Sequence, residues 1–489
     1  MSTAPSLDPE PKGGPSGAPR GKTVGAALRE VIQPIRDFAR IPRALSVGVN
    51  LPYFIEGLVY FGTLTVLTKY LSENVALGDI RAGHLTALLT GGITAAMFVL
   101  GELGDRWGAR RALLCALSFL LAGRVCMALG ETLHLPVGSW RPLMLLNLLG
   151  MSLIITGYGS YQPTAYAAVK QYTDEKTAAM GYAMLYALAN LGAFASGLVS
   201  PWVRHRSESI FPPNGITGVF WMYVGLTVMA LLITAFGLPR QKKAEPELVA
   251  RALTAAPADL ATDLTAKKAE PALFSLEWIR SHPLWDAKFA FFIFVLIPVQ
   301  TLFAHGWLTL PLYIERAFRH TPWVSQNFEF FSNLNPLLIF VLTPLLTALT
   351  ARTDVYKMMI IGTAIMAAPT LLLTVGPSPA LLLLYTLTMS IGEAMWQPRF
   401  LQYVAEIAPP GKTGMYMGVA QLPWFLTKLL TGMYSGWFLK KYCPAEGPQD
   451  TQFMWLVYSC IAMASPICLF LARGWVGRSI SQRRAQAKA

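Results

Sequence analysis

The chain reads as an all-α membrane protein with twelve transmembrane helices in two six-helix bundles. Three observations carry that reading. Of 489 residues, 54% are hydrophobic and only 14% are charged, and the mean hydropathy is +0.44, too apolar for the surface of a soluble protein of this length. Crossing a hydrocarbon core takes about 20 helical residues, and stretches of that kind recur along the chain. Residues 241–281 are polar, rich in Ala, Glu and Lys, and hold no spanning stretch, so they divide the apolar stretches six and six.

In chain order, residues 1–21 are rich in Pro, Gly and Ser, which predicts a disordered tail without a cleavable signal peptide. Residues 22–43 alternate apolar and basic side chains at helical spacing, as an amphipathic segment on the inner leaflet would. The spans centre near Phe61, Gly92, Leu120, Ile154, Ala193 and Thr227 in the first half, and near Gln300, Pro336, Ala367, Ile391, Leu426 and Ile461 in the second. The expected division is therefore 1–43 tail and amphipathic segment, 44–240 first bundle, 241–283 cytoplasmic linker, 284–473 second bundle and 474–489 basic tail.

The formal net charge of +13 raises the question of nucleic acid, but its distribution answers against it. Arg106, Arg110 and Arg111, then Arg240, Lys242 and Lys243, then Arg478, Arg483, Arg484 and Lys488 fall on one side if twelve helices alternate. Positively charged loops face the cytoplasm, so both termini are expected there, in the inner membrane if the cell is bacterial. Arg204, Arg206, Arg316, Arg319, Lys440 and Lys441 lie on the other side and make the asymmetry imperfect. Four of the five cysteines lie in apolar stretches and Cys443 is alone in an outward loop, so neither a disulfide, a metal site nor a cofactor is expected.

Glu56 stands near the centre of the first span. A carboxylate in hydrocarbon costs several kcal/mol unless it is protonated, paired or facing water, so it is a functional group by default. The second span ends in Gly101-Glu102-Leu103-Gly104-Asp105-Arg106-Trp107-Gly108-Ala109-Arg110-Arg111. That run is similar to the G-x-L-x-D-R-x-G-x-R-R loop of the major facilitator superfamily, and the resemblance implies a charge cluster of Asp105, Arg106, Arg110 and Arg111 that gates the inner side in the outward-facing state.

Further segments, covering most of residues 48–430, resemble the proton-dependent oligopeptide transporter family. Glu56-Gly57-Leu58-Val59-Tyr60-Phe61-Gly62 is similar to the end of its helix 1 signature E-x-x-E-R-F-x-Y-Y-G. Gly157-Tyr158-Gly159-Ser160-Tyr161-Gln162-Pro163 resembles G-x-G-x-x-K-P of helix 4, and Tyr186 to Gly192 resembles F-Y-x-x-I-N-x-G of helix 5. Phe331-Ser332-Asn333-Leu334-Asn335-Pro336 and Ile391-Gly392-Glu393 resemble helices 8 and 10.

The departures matter as much. Gly57, Leu64 and Gln162 occupy positions where the family carries cations for a substrate carboxylate, Tyr53 replaces the first signature Glu, and Val299 replaces a carboxylate beside Gln300. Asn190, Asn335 and Glu393 match the end of the pocket that holds an amine. The resemblance thus implies an amine-bearing substrate without an obligatory free carboxylate, with Tyr60, Gln162, Tyr186 and Gln300 also lining the site, and Lys428 is a further candidate for its lining from its own depth in the eleventh span. Arg124, Arg399 and Lys428 are cations at spanning depth that the family pattern does not anticipate, and charges there should face the bundle interior and find partners. Three readings stay open: Lys428 or Arg399 neutralises Glu393, these cations form a relocated anion site, or Arg399 snorkels to the inner interface. His305 reads first as a satisfied core histidine, with a proton relay as the alternative.

The implied activity is proton-coupled symport of a small organic or peptide-like substrate by alternating access, with Glu56 as proton acceptor. Loss of the Arg beside Glu56 removes a partner that would hold it ionised. The alternatives are an exporter or facilitator of amphiphilic or drug-like compounds, and a non-transporting sensor with a transporter fold. No nucleophile elbow, phosphate loop or paired metal ligands point to an enzyme. The expected partners are the substrate, protons and the lipid bilayer, with a monomer as the working unit.

Overall fold

The computed structural model describes residues 46–100, 107–172, 175–239, 283–350, 353–407, 416 and 419–475. The tail and amphipathic segment expected over 1–43, nearly all of the 241–283 linker, the basic residues beyond 475, and Asp105 and Arg106 lie outside them. Among the described residues every regular element is helical.

The first half contains α1 (Leu51–Lys69), α2 (Gly78–Leu100), α3 (Ala109–Thr132), α4 (Pro142–Tyr172), α5 (Glu175–Ser207) and α6 (Ile216–Gly237). Single π-helical turns extend α1 at both ends, over Ser46–Asn50 and Tyr70–Asn74. Gly108, at the N-cap of α3, has φ +78°, which explains why the loop after α2 places a glycine there.

The second half is more broken. Its first span is three helices, α7 (Ala287–Phe294), α8 (Ile297–Leu308) and α9 (Leu310–Ala317). The breaks precede Pro298 and Pro311, where the ring removes a backbone donor and crowds the preceding turn. Then follow α10 (Phe328–Ser332), α11 (Leu334–Leu349), α12 (Val355–Ala367), which tightens into a 3-10 stretch at Ala368–Thr374, α13 (Pro379–Ile407), α14 (Leu422–Tyr442) and α15 (Thr451–Leu471). Aspartates accept backbone N–H bonds at the N-caps of α7 (Asp286), α12 (Asp354) and α15 (Asp450), in each case where the chain enters a new apolar run.

Among the described residues, nine spans are long and apolar enough to cross a membrane. The three other positions expected from the sequence are α2, α13 and α14, with 23, 29 and 21 residues. These helices carry Thr86, Thr90 and Thr94, Glu393 and Arg399, and Lys428, side chains that a lipid-facing helix could not hold.

Within the first half α3 packs on α4 and α6, α1 on α5 and α6, and α2 on α4. Within the second, α13 packs on α11 and α12, and α8 on α14 and α15. The halves meet where α2 lies along α14, where α5 lies along α10 and α11, and where α1 touches α8 and α9.

Candidate transport site

Glu56 is 2% exposed, and it is not alone. The Arg124 guanidinium, from α3, donates to both of its carboxylate oxygens, Nη1 to Oε1 at 2.8 Å and Nη2 to Oε2 at 2.7 Å. Tyr158 of α4 donates to Oε2 at 2.9 Å and accepts from Arg124 Nη2 at 2.6 Å, while Thr227 of α6 accepts from Nη1. Four helices of the first half thus converge on one carboxylate. The flanking partner lost at position 57 is thus replaced by a cation from another helix, and Glu56 is held as one half of an ion pair. The reason for Gly57 is local: a Cβ there would stand 2.9 Å from the Ala189 carbonyl oxygen, because α1 and α5 run backbone to backbone.

Glu393, on α13 and 6% exposed, has a different environment. Asn335 Nδ2 donates to Glu393 Oε2 at 2.8 Å and to Ser390 Oγ at 2.9 Å. Among the described residues no cation lies within 4 Å of Glu393, so internal pairing with Lys428 or Arg399 does not occur. Arg399 instead donates to the Thr350 carbonyl at 2.8 Å, and Lys428 donates across the seam to Thr94 Oγ1 of α2 at 3.0 Å. Asn335 and Glu393 come together as expected. Asn190 bonds its own helix, Nδ2 to the Tyr186 carbonyl at 2.9 Å, and so does not join them.

The remaining candidates divide between seam and core. Tyr186 is 43% exposed and lies within electrostatic range of Glu393. Tyr60 is half-buried and packs edge-on to Tyr158, ring centroids 4.8 Å apart, which places it over the Glu56 cluster. Gln162 is half-buried on α4. Gln300 is fully buried; its Oε1 accepts from Thr427 at 3.4 Å and its Nε2 has no partner among the described residues. His305 is a satisfied core residue, bonded to Thr309 at 2.8 Å and Tyr434 at 3.1 Å and stacked on Tyr458. Arg110 caps the end of α6 through the Ala235 and Leu238 carbonyls, a contact inside the first half, and Arg111 is exposed. The other two members of that cluster lie outside the described residues.

Sequence reasoning missed a set of ion pairs that joins the halves at the end where α1 turns into α2. Lys69 bonds Glu73 at 2.6 Å and also Glu315 of α9. Arg316 of α9 grips Asp79 of α2 with both Nη atoms, at 2.7 and 2.9 Å. Arg204 of α5 pairs with Glu329 of α10, with both side chains buried. Apart from Lys69 with Glu73, each pair takes one partner from each half, so this end of the seam is latched. The signal available in the sequence was the set of basic residues that violated the charge asymmetry: Arg204 and Arg316 are latch residues.

The sequence profile of the Major Facilitator Superfamily matches residues 51–432. The chain belongs to this superfamily. It is therefore a transporter and not an enzyme, and its twelve membrane helices form the two six-helix bundles of the major facilitator fold. Dipeptide and tripeptide permease A of Erwinia pyrifoliae is 23% identical over 431 residues, 78% of this chain and 82% of the permease. A triacylglyceride transporter of Mycolicibacterium smegmatis is 25% identical over 214 residues, which span only 34% of that protein. The drug efflux pump JefA of Mycobacterium tuberculosis is 23% identical over 175 residues, 35% of this chain and 33% of the pump. Among solved structures, the peptide transporter POT in complex with sulfate superposes with a TM-score of 0.66 at 17% identity, over 91% of this chain and 99% of that one. Tetrameric PepTSo2 gives 0.64 at 18% identity, over 92% and 100%.

Proposed function

We propose that this transporter moves a small amine-bearing organic or peptide-like substrate together with a proton, by alternating access of its two halves. The observation that carries the reading is Glu393, a buried carboxylate bonded to Asn335 with no cation beside it. An uncompensated carboxylate in a low-dielectric interior is costly, and an arriving ammonium supplies both the missing charge and the missing donors. Glu56 is the proton site of the scheme. Protonation there dissolves the bidentate grip of Arg124 and frees α1, α3, α4 and α6 to shift relative to one another.

With both termini in the cytoplasm, as the basic loops predict, the latched end is extracellular and the described state has its outer side closed. The inner cluster of Asp105, Arg106, Arg110 and Arg111 then serves the opposite state. The working unit is a monomer, since Glu56, Glu393 and the latch are all completed within one chain.

Reconstituted proteoliposomes test the scheme. Glu56→Gln, a mimic of the protonated carboxyl, should abolish accumulation driven by an imposed proton gradient and leave substrate counterflow intact. Gradient-driven accumulation at the unmodified rate removes Glu56 from the coupling.

A second reading, transport of amphiphiles, draws support from one cavity. A space of about 570 Å³ lies on the seam between α5 and α10, lined by Leu198, Trp202, Trp323, Phe330 and Phe331 with Arg206 at its edge. Its aromatic walls suit a lipid-like molecule, and relatives named for triacylglycerides and drugs match part of this chain. Uptake that persists after collapse of the proton gradient would favour it.

A further inference from the structure

Three cations stand at spanning depth, and the structure separates them by how their donors are used. Arg124 is committed to Glu56, Tyr158 and Thr227. Arg399 holds the Thr350 carbonyl at the end of α11. Lys428 makes one bond among the described residues, to Thr94 Oγ1, and no carboxylate there lies within 4 Å of it. Thr94 is a weak counterpart, since its own hydroxyl donates to the Thr90 carbonyl at 3.1 Å and it brings no charge. An ammonium in such a place keeps unused donors and an unbalanced charge.

Lys428 is also connected to the amine site. Trp424 precedes it by one helical turn and faces Phe303 of α8, ring centroids 5.0 Å apart. Phe303 in turn lies 6.4 Å from the ring of Trp396, which follows Glu393 by one turn of α13. An aromatic wall therefore runs from the turn that carries Lys428 to the turn that carries Glu393, with an unmatched cation at one end and an unmatched anion at the other. The three positions that the family signature fills with cations carry no charge here: Gly57 has no room for a side chain, Leu64 is apolar and 2% exposed, and Gln162 is a neutral amide.

We propose that Lys428 is the acid-binding pole of the transport site, so that the substrate is a dipolar molecule with its carboxylate on Lys428, its amine on Glu393 and its apolar middle on the Trp424, Phe303 and Trp396 rings. The inference rests on the amine reading of Glu393. It revises the expectation that no acidic group is required: the acid-binding charge has moved from the first half to the second. Because Lys428 also reaches Thr94 of the opposite half, a carboxylate that captures it competes with a contact across the seam, which links binding to the separation of α2 from α14.

The test uses the full-length purified protein and three matched probes: L-alanyl-L-alanine, its C-terminal amide and its N-acetyl derivative. Binding is read as ligand-induced thermal stabilisation. The unmodified protein should bind the free dipeptide about tenfold or more better than the amide, the contribution of one charge-assisted bond. Lys428→Met should erase that preference and Lys428→Arg should retain most of it. Glu393→Gln should instead erase the preference over the N-acetyl derivative, which tests the amine reading separately. An equal affinity for dipeptide and amide in the unmodified protein, or a preference that survives Lys428→Met, overturns the role of Lys428 and leaves Glu393 standing. No stabilisation by any probe removes the dipolar substrate altogether.

Discussion

At the scale of single residues, the pair formed by Glu56 and Arg124 shows what a local motif can and cannot say. The sequence marks Glu56 by its place in an apolar stretch, and the structure finds it 2% exposed. Its partner lies 68 residues away on another helix, where no pattern of near neighbours reaches it. Arg124 was visible as a misplaced cation, and only folding decides which carboxylate it meets. The same holds for Asn190, whose register matched the amine site while its amide bonds its own helix. Removing one partner of a buried pair strands the other charge, at a cost of about 3–5 kcal/mol. Arg124→Met should therefore lower thermal stability sharply. Adding Glu56→Gln should restore much of the loss, because the stranded charge is gone. Unfolding measured in detergent for the two single variants and the double variant checks this as a thermodynamic cycle. Strictly additive losses would mean that the two side chains do not depend on one another.

Among the elements, α2, α13 and α14 are the expected spans of weakest apolar character. α2 and α14 carry Thr94 and Lys428 where they meet across the seam, and α13 carries Glu393 and Arg399 inside the second half, whereas α6 and α15 are plainly hydrophobic. The breaks in the seventh span follow from Pro298 and Pro311, which the sequence displays openly. What the sequence does not display is how closely α2 and α14 approach. A Cβ on Gly436 would stand 2.3 Å from the Asp79 carbonyl oxygen, and one on Gly432 2.1 Å from the Ala87 Cβ. Small residues at such a crossing let backbones touch, a major source of helix association where lipid removes the hydrophobic driving force. Gly436→Leu should wedge the latched end open. Spin labels at the exposed positions Arg81 and Lys440 should then show a longer distance population than in the unmodified protein. An unchanged distance distribution would show that backbone contact does not set the closure.

On the scale of the whole molecule, closure of one end is a sum of separate contacts. The pairs of Lys69 with Glu315 and Arg316 with Asp79 are joined through Glu73, which bonds Lys69 at 2.6 Å and lies 4.0 Å from Arg316, whereas Arg204 with Glu329 sits on another crossing and shares no ion-pair partner with them. Glu315 is about a third exposed, so solvent and salt screen that pair, while Glu329 is buried and its pair is screened least. A native cysteine reports on this end. Cys443, just past α14, is fully buried, and its carbonyl accepts from Arg316 Nη1 at 3.0 Å. Burial pushes its thiol up to about 12, so near neutral pH almost none is thiolate, the form that reacts. In a protein whose other four cysteines are replaced by alanine, maleimide should label Cys443 slowly, at a rate that climbs about tenfold per pH unit from 7 to 9 because the thiolate stays a minor form throughout. Glu329→Gln weakens the latch at the α5 crossing, away from the Cys443 contact with Arg316. If opening is concerted, that substitution exposes Cys443, lets its pKa fall toward the ordinary thiol range, and makes labelling faster, with a rate that levels off above about pH 9 instead of climbing through it. Asp79→Asn, which acts beside the cysteine, should accelerate labelling even if the crossings open independently. Acceleration by Asp79→Asn without any by Glu329→Gln would therefore show a latch that opens one crossing at a time, and acceleration by neither would show that these ion pairs do not hold this end shut.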